Sequence, residues 1–192
     1  MDDVLENLSV AWVDYLNRKY GTDVNAEDIT DWSVDKFFPS LSKRQVYGAL
    51  IDEALWKTVR PMNKAQETLQ ALIHDGHEIY VVTNSHYRAL TAKMEDVLFT
   101  FFPFLSWDQV IITKNKQMIR GDVLIDDGIH NLVGGDYIKV LMDRPHNRAF
   151  DAEAAGMYRV SGWEEIYELL TRISQRQSSV GVKLRANHNG GT

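Results

Sequence analysis

Asp126 and Asp127 stand side by side after a short apolar run, Val123-Leu124-Ile125, and Gly128 follows them. Adjacent carboxylates at the tip of a buried strand repel each other unless a cation or hydrogen-bond donors offset them, and oxygen ligands with water suit Mg2+. A turn in which Asp127 caps the next helix uses the same residues. Thr83-Asn84-Ser85 follows another apolar run, 79–82. Small polar side chains leading into a helix N-terminus suit an anion such as phosphate, and equally an ordinary N-cap. Lys114 and Lys116 follow a third apolar run, 109–113, where an ammonium either neutralises a phosphate or is merely solvated. At the front, Met1-Asp2-Asp3-Val4-Leu5-Glu6-Asn7 places three acids just before a helical pattern. Favouring the helix dipole is the plain role for Asp3 and Glu6.

These groups must be positioned by strands and helices. Leu5, Leu8, Trp12, Tyr15 and Leu16 fall at helical spacing, with Gly21 where a left-handed cap is wanted. Residues 22–60 break into short aromatic-rich pieces, with a second helical stretch near 42–55, and read as a small helical insertion. Pro61 is expected to open a helix striped by Leu69, Leu72 and Ile73 and stopped by Asp75-Gly76. Beyond Gly76, apolar runs at 78–82, 109–113, 123–125 and 137–142 alternate with helical segments, one from about Tyr87. A last short strand at 158–160 precedes a helix over 163–173. That rhythm predicts an α/β fold with a parallel sheet covered on both faces. Ligands of such sheets bind beyond the carboxyl ends of the strands, where the polar groups above lie.

At 192 residues the chain holds one domain, or one with an insertion. It has no cysteine, which excludes disulfides, thiolate metal sites and a cysteine nucleophile. A net charge of −6 argues against a nucleic-acid polymer as partner. No apolar run reaches the roughly 18–20 residues of a membrane span, and no basic-then-apolar leader opens the chain. A cytoplasmic location is the default expectation.

Taken in order, Asp2-Asp3-Val4-Leu5, Thr83, Lys116 and the block Asp122-Val123-Leu124-Ile125-Asp126-Asp127 resemble the four motifs of the haloacid-dehalogenase-like phosphatases. More narrowly, MDDVLENL, DWSVDKFFP, LWKTVRPM, VVTNSHY, KQMIRGDVLIDD and VLMDRPHNR are similar to the cytosolic-type 5′(3′)-deoxyribonucleotidase family. The likeness runs from residue 1 to about 173. It implies a Rossmann-like parallel sheet flanked by helices, formed by residues 1–21 and 61–173. Residues 22–60 would form a helical cap, and 174–192 a flexible tail.

The resemblance also implies a Mg2+-dependent nucleotidase. An aspartate attacks the phosphate of a nucleoside monophosphate, and a second, two positions on, protonates the leaving oxygen and then activates water. Asp2 is then the acid/base and offers its carbonyl to the metal, Asp126 and Asp127 are the other metal carboxylates, and Thr83, Asn84 and Lys116 hold phosphate. Which of Asp126 and Asp127 touches the metal stays open. Trp32, Phe38 and Trp56 of the cap are candidates for stacking on the base, Trp56 first, each also readable as core. Leu8 stands where relatives often carry a base-sandwiching phenylalanine.

In the family pattern the attacking aspartate falls just before Met1, outside the 192 residues. A start assigned too late accounts for that, and for a missing central strand whose neighbours would keep unpaired edges. The alternating residues 180–184 are a remoter candidate for that strand. An inactive nucleotide or phosphate binder, and a phosphatase for another small metabolite, are the competing readings. Oligomeric state is open, a homodimer included.

Overall fold

The computed structural model describes residues 1–188, with side chains through Gln175. Helix α1 (Leu8–Tyr20) forms as its pattern requires, burying Leu8, Ala11, Trp12, Tyr15 and Leu16. Asp3 caps it: its carboxylate accepts from the Ser9 backbone N–H at 2.9 Å and from the Ser9 hydroxyl. Gly21 closes it at φ 69°, its N–H reaching the Asn17 carbonyl, a conformation that costs a side-chain-bearing residue about 1 kcal/mol.

The insertion is built of short pieces: 3-10 turns at Ala26–Asp28 and Val34–Phe37, then α2 (Lys43–Gly48) and α3 (Glu53–Trp56). Ser42 and Gln45 form a reciprocal capping box at the start of α2. Asp52 ties α3 to α1. Its carboxylate takes the Tyr15 hydroxyl, Lys19 Nζ at 3.0 Å and the Ala54 N–H at 3.1 Å. These contacts, the Tyr15 bond foremost, hold its pKa down at about 2. Because the folded pKa lies below the unfolded one, the stability Asp52 adds is present above about pH 4 and fades as the pH falls toward 2. Asp52→Ala is expected to cost about 1 kcal/mol at pH 7, with parent and variant converging in urea melts at pH 2. A constant gap across that range would count against the account.

Helix α4 (Ala65–His74) starts later than the sequence predicts. Pro61 opens no helix; it sits opposite Glu6 in an antiparallel bridge, and Met62 N–H bonds the Leu5 carbonyl at 2.8 Å, so the helix begins only after Lys64 at φ 63°. Then follow β1 (Val81–Thr83), α5 (Leu90–Ala92), a π-helical turn Lys93–Leu98 and α6 (Phe99–Phe101). Strands β2 (Val110–Ile112) and β3 (Val123–Asp126) lead to α7 (Ile129–Leu132). Strands β4 (Ile138–Met142) and β5 (Tyr158–Val160) precede α8 (Trp163–His188).

Among the described residues the strands pair only in parallel, as the uniformly apolar runs predict, but they form two sheets, β1-β2 and β3-β4-β5. Among the described residues no strand joins β1 to β3, in keeping with the unpaired edges expected there. Residues 1–5 are stitched to both sides instead. Asp2 bonds Lys93 beyond β1, the Asp3 carbonyl accepts Arg144 Nε beyond β4, and the Val4 carbonyl accepts Trp163 Nε1 of α8. Met1, Val4 and Leu5 share one core cluster with Val81, Val140 and Val160.

Helix α8 does not stop at Ile173. It runs through His188, so residues 180–184 are helical and not a strand, and the expected loose tail is helical up to there. Residues 189–192 lie outside the described part. No helix among the described residues is long and apolar enough to cross a membrane.

Candidate active site

The end of β1 supplies Thr83, fully buried, whose hydroxyl accepts from Lys93 Nζ at 2.8 Å. Lys93 is 1% exposed. Desolvating an ammonium costs several kcal/mol, and three partners offset it. They are Thr83, the Asp2 carboxylate (Nζ–Oδ2 2.6 Å) and the face of Trp56, 5.4 Å from Nζ. Asp2 keeps 32% of its side-chain surface, so this network opens to solvent there.

Glu6 lies behind Asp2, wholly buried. Neither of its carboxylate oxygens has a donor, and neither does Asp2 Oδ1, which Lys93 approaches to 2.5 Å without hydrogen-bond alignment. A proton on Glu6 resolves this. Burial, then the Asp2 charge, raises its pKa well above the usual range, so that it donates to Asp2. For Asp2 itself burial pulls upward, but Lys93 and the Glu6 hydrogen bond prevail and hold it below the ordinary carboxylate range.

The end of β3 supplies the second limb. Lys116 Nζ donates to Asp126 Oδ2 at 2.6 Å, both residues buried. Asp126 Oδ1 accepts from Gly128 N–H and Asn131 Nδ2, each at 2.8 Å. A Cβ at 128 would stand 2.8 Å from Asn131 Nδ2 and 3.1 Å from Asp126 Oδ1, so a larger residue there would have to displace the Asn131 amide from Asp126. Asp127 is differently placed. Its Oδ2 lies 3.2 Å from His146 Nε2, and its Oδ1 has no partner among the described residues. Burial, with the Asp127 charge nearby, lifts Asp3 to about 6.

The structure places Asp2 and Thr83 on one limb, around Lys93, and Lys116, Asp126 and Asp127 on the other. Asn84 lies beside Thr83 but is exposed, and Lys114 is exposed two residues from the buried Lys116. Of the base-stacking candidates, Phe38 and Leu8 belong to the core and offer no face to a ligand. Trp56 is buried, with its ring toward Lys93 and its N–H on the Leu50 carbonyl. Trp32 is 54% exposed and stands edge-on to His130 and His146, centroids 4.6 and 5.2 Å away. It brings the cap to the rim beside Asp127.

Lys93, Glu6 and His146 are the site residues that sequence reasoning passed over. For Lys93 there is a signal: it lies four residues after Ala89 and four before Val97, both buried, so a cation interrupts an apolar helical stripe. Glu6 and His146 carry none in a single sequence.

The profile of the family described as 5′ nucleotidase, deoxy (pyrimidine), cytosolic type C protein matches residues 1–177. A 5′(3′)-deoxyribonucleotidase of Bacillus subtilis (strain 168) is 36% identical over 168 residues, 86% of this chain and 92% of the relative. One from Clostridium acetobutylicum is 27% identical over 149 residues, 78% of this chain and 82% of the relative. The crystal structure of a hydrolase from Pseudomonas syringae covers 90% of this chain and 95% of its own, with TM-score 0.51 and 14% identity, and so shares the fold.

Proposed function

Since the chain belongs to the cytosolic type C family of deoxy (pyrimidine) 5′ nucleotidases, we propose that its site hydrolyses deoxyribo- and ribonucleoside monophosphates to nucleoside and phosphate, with Mg2+. The carrying observation is two buried ammonium groups paired with aspartates at the site: Lys93 on Asp2 and on the buried Thr83 hydroxyl, and Lys116 on Asp126, with Asp127 next in the chain. Lys93 and Lys116 offset the charge of a phosphate that the aspartates alone would repel. Thr83 binds it by its hydroxyl.

Asp2 is the acid/base at the leaving oxygen, held in place by Lys93 and by the Glu6 proton. Attack falls to the aspartate that the family pattern places just before Met1.

The donors present fit a hard divalent ion shared with substrate. No three His, Asp or Glu side chains among the described residues gather to hold a metal by themselves, so backbone and phosphate oxygens must complete the shell. Asp126 is fully engaged by Lys116, Gly128 and Asn131, whereas Asp127 Oδ1 is unclaimed. Asp127 is thus the direct carboxylate ligand, with the Asp2 carbonyl, and Asp126 anchors Lys116. Bound there, Mg2+ supplies charge stabilisation for the transferring phosphoryl group.

Trp32, on the cap side of Asp127, is the surface left for a base. A phosphate-release panel tests the substrate class, run on a form with aspartate supplied before Met1. Nucleoside monophosphates should be turned over at least about tenfold faster than sugar phosphates of similar size. The reverse order points to another metabolite phosphatase.

A further inference from the structure

The loop that follows β4, residues 143–148, touches both acidic loops of the site. We propose that this loop is a positioning bracket for the reaction, with His146 as the residue that aims the Asp127 carboxylate, resting on the reading of the site given above.

The argument begins with His146 Nε2. It lies 3.2 Å from both the Asp127 carbonyl and Asp127 Oδ2. The carbonyl accepts only, so Nε2 carries the hydrogen and donates it there, while Oδ2 stands at ion-pair distance from the same nitrogen; one imidazole thus faces both the backbone and the side chain of one residue. With Oδ2 turned to the imidazole, Oδ1 is the oxygen left to ligate a cation. Asn147, 1% exposed, repeats the grip on the backbone: its Nδ2 donates to the Asp127 carbonyl at 2.9 Å and to the Met142 carbonyl at 2.8 Å.

Asn147 is itself fixed. Its Oδ1 accepts from Arg144 N–H and from Arg159 Nη1, and its carbonyl accepts from Arg159 Nη2. The same loop reaches the other acidic segment, where Arg144 Nε donates to the Asp3 carbonyl at 2.9 Å, one residue from Asp2. One turn therefore sets where Asp127 stands relative to residues 2 and 3, although among the described residues no strand joins β1 to β3. It also meets the cap, through Trp32 on His146 and Arg148 on Glu27 at 2.9 Å.

The test uses Mn2+ alone, with free Mn2+ read by electron paramagnetic resonance, and so needs no turnover. His146→Ala should weaken Mn2+ binding about tenfold, in the range for a lost outer partner of a ligand. His146→Gln, whose amide can still donate, should stay within about threefold. His146→Phe fills the volume without a donor; it should match His146→Ala, and it stands in should that variant not fold. Asp122→Asn, at the far end of β3, should leave binding unchanged. Metal-free melting temperatures should not separate the Gln and Phe variants. Parent-like Mn2+ binding by His146→Phe, or equal losses in Gln and Phe, overturns the proposal. Asp127→Asn tells its failure from that of the broader reading: if that variant also binds Mn2+ normally, the site does not hold a metal through Asp127 and both fall.

Discussion

Phosphate release by the polypeptide Met1–Thr192 is expected to run at least about 10³-fold slower than by the same chain preceded by a short apolar segment ending in aspartate. An acid/base without its nucleophile keeps positioning and electrostatics but forms no covalent intermediate. Among the described residues Asp2 is committed to Lys93 and Asp126 to Lys116, and Asp127 faces His146 with one oxygen and would give the other to the metal. Release assays of both forms with a deoxyribonucleoside monophosphate and Mg2+ decide this. Comparable rates would mean that water attacks directly or that another carboxylate has replaced the nucleophile.

The second large effect belongs to the Lys116–Asp126 pair. Asp126→Ala should cost about 3–5 kcal/mol of stability, since it leaves a buried ammonium without its counter-ion. It also leaves the Gly128 N–H and Asn131 Nδ2 without their acceptor. Asp126→Asn keeps an acceptor for those two donors and should cost less than the alanine change. Replacing the pair together, with Lys116→Met and Asp126→Leu, should recover part of the loss, as removing both charges removes the uncompensated one. Urea denaturation of the three proteins measures it. A loss below about 1 kcal/mol for Asp126→Ala would show that the pair is solvated in solution and not buried.

The strands were legible because a parallel strand buried on both faces must be apolar throughout, as in the runs that became β3 and β4. The residues just after them carry the chemistry for the same topological reason, which is why Thr83, Asp126 and Asp127 could be singled out. What stayed hidden depended on contacts distant in sequence. Pro61 has the local chemistry of a helix start, yet its bridge to Glu6, 55 positions away, overrides it. Phe38 looks available to a ligand until the core closes over it. Glu6 has the spacing of a helix-dipole acid, and only the fold reveals it as a buried carboxyl behind Asp2, its pKa raised by that burial. The polar stretch after Ser174 lacks an apolar stripe of its own, so nothing in its composition announces that α8 continues through it.

The most direct test of the phosphate-site account is calorimetric titration of a deoxyribonucleoside monophosphate, and of the nucleoside without its phosphate, into the Mg2+-loaded protein. It works without turnover. The account predicts that the nucleotide binds and the nucleoside binds at least about tenfold more weakly. Lys116→Ala should lose about 1–3 kcal/mol of nucleotide affinity, while Lys114→Ala, exposed two residues away, should lose almost none. Equal affinity for nucleotide and nucleoside, or a loss that follows Lys114 and spares Lys116, would contradict it.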